Sequence, residues 1–86
     1  MDIDDYPMVR VTWRDAQDSD GTWTDMEDII KHECAVCQEV GYLVVDNSEK
    51  VVVMRSRIVS TEEDTGGAYI AIPKSWIVQV DYLTTT

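Results

Sequence analysis

The sequence predicts a mainly β domain, a small and strongly bent five-stranded barrel with one short α-helix. Three observations predict it. Val9 to Trp13 and Tyr69 to Ile72 alternate in period two, the mark of half-buried strands. Pro73-Lys74 then interrupts the second of these runs before apolar anchors resume at Ile77 and Val80. Proline donates nothing to a ladder, so one strand ends there and the next begins almost at once, which requires a sharply bent sheet. Finally, clusters of turn residues punctuate the apolar runs throughout.

Taken in order, residues 1–7 read as a loose acidic lead to a single domain spanning 1–86. Met8 to Trp13 sets Val9, Val11 and Trp13 against Arg10, Thr12 and Arg14 and forms the first strand. Asp15 to Gly21 is a polar loop. Thr24 and Glu27 have the spacing of a capping box, and Met26, Ile29 and Ile30 follow at helical spacing. This predicts a short helix from Asp25 to about His32, too short to stand alone and therefore docked on the sheet. Val36 to Asp46 is one strand or two, with a bulge or bend allowed at Gly41. Asp46 to Glu49 is a hairpin turn, Lys50 to Ser60 a long strand, and Thr61 to Gly67 an acidic loop before the two C-terminal strands.

Charge narrows the partners. The chain of 86 residues carries a net charge of −10, unevenly placed. Residues 1–33 hold ten acids and three bases, and residues 34–86 hold seven acids and four bases. Such a field repels phosphate and argues against a general nucleic-acid binder. No apolar run approaches the roughly 20 residues that span a bilayer, so no membrane association is expected. The acidic start differs from the basic start of a signal peptide, and cytoplasmic residence with reduced cysteines is the expectation.

Several groups are candidate chemical sites. His32, Cys34 and Cys37 lie within six residues, but zinc wants four ligands and these are the only two cysteines. Core packing for one thiol and a helix-end position for the other is the simpler account. Asp18, Asp20 and Glu27 fit part of a calcium loop, yet Ala16 stands where its first ligand belongs, so an acidic turn is expected. No metal and no cofactor are expected. Trp13, Trp23 and Trp76 are a possible stacking platform, although at least two of them are expected in the core. Arg55 and Arg57, two apart on a strand, with Lys50 and Lys74 read either as a small positive patch or as a charged sheet edge that blocks pairing. Nothing in the spacing of His32, the acids and the hydroxyls makes a catalytic triad, so no enzyme is expected.

The C-terminal segment resembles the second signature of the Sm/LSm proteins, since Ile72, Ile77 and Val80 keep that family's apolar spacing. Gly41, Leu43, Val45, Asp46 and the run Val51 to Met54 resemble its first signature. The likeness covers about residues 40–83. Lys50 stands where the family has a binding-loop Asn, Ser48 where it has a stacking aromatic, and Pro73-Lys74 where it has Arg-Gly. The short acidic chain also resembles small bacteriophage proteins in its Val9–Arg14 and Ile72–Lys74 segments.

The Sm resemblance implies a barrel whose strand edges pair between copies into a homo-oligomeric ring. It further implies loops that contact RNA or single-stranded DNA, through Asp46, Asn47, Ser48 and Lys50 in one and Pro73, Lys74 and Ser75 in the other. The alternative is an acidic adaptor for a host or viral protein, its charge speeding encounter with a basic partner. In a viral setting the expected location is the host cytoplasm.

Overall fold

A computed structural model describes residues 6–84, so the first five residues of the predicted acidic lead lie outside the described residues. Five strands form one antiparallel sheet in the order β4-β3-β2-β1-β5. Strand β1 runs Met8–Asp15, β2 Ala35–Asp46, β3 Lys50–Ile58, β4 Thr65–Pro73 and β5 Ile77–Tyr82. The mainly β prediction stands. The outer strands β4 and β5 each pair on one side only, so the sheet is open.

The alternation in sequence decides which face is buried. Val9, Val11 and Trp13 of β1 point inward with Leu43 of β2, Val51 and Val53 of β3, and Ile72 of β4. Cys37, Ile70, Ile77 and Val80 pack around them. Each aliphatic side chain buried there stabilises the fold by about 1.5–3 kcal/mol. Between β4 and β5, Lys74–Trp76 forms a single 3₁₀ turn that touches both β1 and β3. That turn is the predicted proline corner. The bulge, in contrast, falls between Leu43 and Val45 and not at Gly41. Gly41 is demanded for another reason: a Cβ there would lie 2.6 Å from the Met54 carbonyl oxygen of the neighbouring strand. The long strand ends at Ile58, and Gly66 and Gly67 belong to β4.

The connection from β1 to β2 departs most from expectation. Residues 16–34 leave the sheet as an arm, and every one of them is exposed. The arm holds α1 (Met26–Ile30), none of whose residues is buried. The predicted docking of this helix is therefore overturned. The sheet's inner face is already filled by its own strands, and the helix does not cover the outer face, where Val36 and Val40 stand exposed among Arg10, Thr12, Arg14 and Gln38. The capping box does not form either, because Asp25 takes the N-cap position and no side chain caps the helix. The molecule measures 56 × 28 × 22 Å, with a Cα radius of gyration of 17.1 Å. A compact chain of this length has about 12 Å.

Candidate functional site

The seven residues predicted to line two loops mostly converge at one end of the sheet. The β2–β3 turn is built on Asn47, whose Oδ1 accepts the backbone N–H groups of Glu49 and Lys50, each at 2.9 Å. This is the ordinary use of Asn in a tight turn. Register places Pro73 opposite Lys50. The Lys74 N–H then donates to the Glu49 carbonyl at 2.9 Å, and the Lys74 ammonium pairs with the Asp46 carboxylate. Asp46, Asn47, Lys50, Pro73 and Lys74 thus share one corner, while Ser48 and Ser75 lie exposed on the turn and on the 3₁₀ segment.

The electrostatics of this corner are balanced. Asp46 offsets Lys74, and Glu49 lies next to Lys50 in the chain. The corner therefore carries no surplus charge for phosphate. The wider positive patch does not assemble. Arg55 is paired with Glu39 at 2.8 Å. Arg57 has its side chain covered, its Nε donates to Asp64 at 2.9 Å, and its guanidinium lies over the Tyr6 ring at 5.1 Å. Nor do these arginines guard an edge, because β3 lies inside the sheet between β2 and β4.

The other candidate groups are dispersed. Trp13 is in the core, Trp76 is 42% exposed on the 3₁₀ turn, and Trp23 projects fully into solvent, so only one of the three tryptophans is core. His32 is 2.9 Å from the Gln17 carbonyl through Nε2, Cys34 is exposed, and Cys37 is half-buried, both as free thiols. Asp20 accepts the Thr22 hydroxyl and N–H, and Asp18 accepts the Ser19 N–H, so the acids of the loop shape turns. The Thr22 hydroxyl, then its N–H, hold the Asp20 carboxyl below its ordinary pKa. Among the described residues, no three His, Cys, Asp or Glu side chains gather to hold a metal.

Sequence reasoning missed the exposed apolar set on the arm, formed by Trp23, Met26, Ile29 and Ile30. The stripe was visible, but its orphan state was not. The signal available was the length of the polar connection between β1 and β2, which lets the stripe stand clear of its own sheet. No family model, curated protein or solved structure matches this chain. No helix among the described residues is long and apolar enough to cross a membrane.

Proposed function

We propose that this protein is a non-enzymatic self-assembly module, an Sm-like sheet that joins edge to edge with its own copies into a homo-oligomeric ring. One observation carries the proposal: both outer strands are open and lack the charges that usually protect an edge. From Thr65 to Ile72, β4 has no charged residue. In β5 the one charged residue, Asp81, is tied to Arg10 of β1 at 3.0 Å. Joining β4 of one copy to β5 of the next is a head-to-tail contact, which closes into a ring when the rotation per copy allows. The sheet then curves on from copy to copy as a barrel wall. A ring repeats the Asp46–Lys50 and Pro73–Ser75 corner around one rim. Since each corner is neutral, any hold on RNA or single-stranded DNA comes from polar contacts multiplied by avidity.

The test is light scattering on the purified chain and on an Ala71→Lys, Val78→Lys variant. Both positions are exposed on the outer strands, so lysines there block pairing without touching the core. The wild type is expected to run as a closed oligomer and the variant as a folded monomer. A monomeric wild type, or a variant of unchanged mass, overturns edge pairing. The acidic-adaptor reading rests on the −10 charge and predicts a monomer that binds a basic protein in a salt-dependent way.

A further inference from the structure

The arm has a composition and a shape that the sheet does not use. Residues 16–34 carry six acids against Lys31 alone, and around them stand the exposed side chains of Trp23, Met26, Ile29 and Ile30. Met26, Ile29 and Ile30 lie at the i, i+3, i+4 spacing by which a helix presents one apolar face to a partner. A face of this kind left in water is a binding surface in search of cover.

The same chain offers the complement. On the outer face of β1 and β2, cross-strand pairing sets Arg14 beside Val36, Thr12 beside Gln38, and Arg10 beside Val40. Val36 is 66% exposed and Val40 47% exposed. Two uncovered valines are thus bracketed by two arginines, of which Arg10 is already paired with Asp81 of β5 and Arg14 supplies the free positive charge. Arg14 is exposed and has no ion-pair partner among the described residues. The arm's own helix does not lie on this face. A neighbouring copy is free to place its arm there.

The exposed area of the whole chain leaves room for such a contact. The chain exposes 6774 Å². A folded monomer of 9.8 kDa exposes roughly 5,200 Å². The surplus is about 1,600 Å², whereas a standard interface takes about 800 Å² from each partner. A head-to-tail contact asks each chain for two such patches, an arm given to one neighbour and a face offered to the other. Because β1 and β2 are inner strands, that contact leaves both sheet edges available.

We propose that the acidic apolar arm of one copy docks on the Arg10, Arg14, Val36 and Val40 face of the next, locking neighbours together. The inference rests on self-assembly but not on which strand edges pair. Its test uses the intact chain and reads Trp23, whose emission is isolated as the difference between wild type and Trp23→Phe. In assembled protein that emission is expected to shift to shorter wavelength and to resist quenching by acrylamide, a neutral probe unaffected by the acidic field. In the Ala71→Lys, Val78→Lys monomer it is expected to revert to that of a water-exposed indole. Arg14→Glu, on an inner strand and away from both edges, is expected to return Trp23 to water as well.

Trp23 emission characteristic of water in an assembled wild type overturns the docking and leaves edge pairing intact. That is also the outcome if the arm serves a different protein. An assembly that survives the lysine substitutions yet loses Trp23 shielding with Arg14→Glu overturns edge pairing and upholds the arm. A monomeric wild type overturns both, and a monomeric variant with Trp23 still shielded shows the arm folded on its own chain, which also overturns the docking.

Discussion

Trp13 and Trp23 are ten residues apart in the chain and have opposite fates. Trp13 sits on β1 among Val9, Val11 and the inner faces of the other strands. Trp23 sits on the arm with nothing over it. The sheet is held by apolar burial across strands far apart in sequence. The arm is held by short polar contacts between near neighbours: Ser19 accepting the Gly21 N–H, Asp20 accepting Thr22, and Lys31 paired with Glu27 at 3.3 Å. Exposed contacts of that sort contribute little net stability, whereas buried side chains in a filled core contribute much. Hydrophobicity alone therefore does not decide burial. An apolar residue is buried only where another element presents a face to it.

The largest expected effect puts that contrast to a direct test. Trp13→Ala should destabilise the fold by about 3–5 kcal/mol, a large share of the stability of so small a domain. Trp23→Ala should stay within about 0.5 kcal/mol, as substitutions outside a core do. Urea denaturation of both variants under monomeric conditions, in the Ala71→Lys, Val78→Lys background, measures the difference. A cost of more than about 1 kcal/mol for Trp23→Ala would mean that the arm packs on its own sheet.

Glycine sharpens the comparison at a middle scale. Gly41 lets β2 approach β3 so closely that a methyl group would meet the Met54 carbonyl oxygen at 2.6 Å and Val53 Cγ1 at 2.8 Å. Ladder backbone cannot step aside, so Gly41→Ala should cost about 1–3 kcal/mol. Gly21, in the arm, is required by its φ of +85° and has nothing within 4 Å of where a Cβ would stand. Gly21→Ala strains its turn, but the arm can open locally without unfolding the sheet. Thermal melts should show a clear drop for the first variant and almost none for the second.

Much of the sheet was legible because strands and turns announce themselves locally. Val9, Val11 and Trp13 alternate, Asn47 is a turn former, and Pro73 stops a strand. What was not legible depended on faces meeting in space. The stripe of Met26, Ile29 and Ile30 looks the same whether docked or bare. Thr24 and Glu27 have capping-box spacing, but the helix starts one residue later than that spacing requires, with Asp25 at its N-cap. Arg55 and Arg57 read as a patch or an edge until the strand order put β3 inside the sheet and gave them Glu39 and Asp64 as partners. At the candidate corner, the two loops could be named from their turn chemistry and from the family resemblance. Their union through Lys74 with Glu49 and Asp46 is a long-range contact that no local pattern encodes.

The smallest expected effect separates the two regions by acid. Asp81 on β5 has its carboxyl held below the usual aspartate value, first by a hydrogen bond from the Gln79 amide and then by Arg10. Asp20 in the arm is lowered likewise, by Thr22. A carboxylate whose folded pKa is depressed contributes stability that is full above its unfolded pKa and is lost as pH falls through the folded value. For both groups the loss therefore begins below the ordinary value of 3.8. Only Asp81 clamps β5 to β1, so only its protonation should reach the global unfolding transition. Melts between pH 5 and pH 3 should show a small acid-dependent drop that shrinks in Asp81→Asn and persists in Asp20→Asn. If Asp20→Asn removes the drop instead, the arm's turns are coupled to the sheet, and the division between a packed sheet and an independent arm fails.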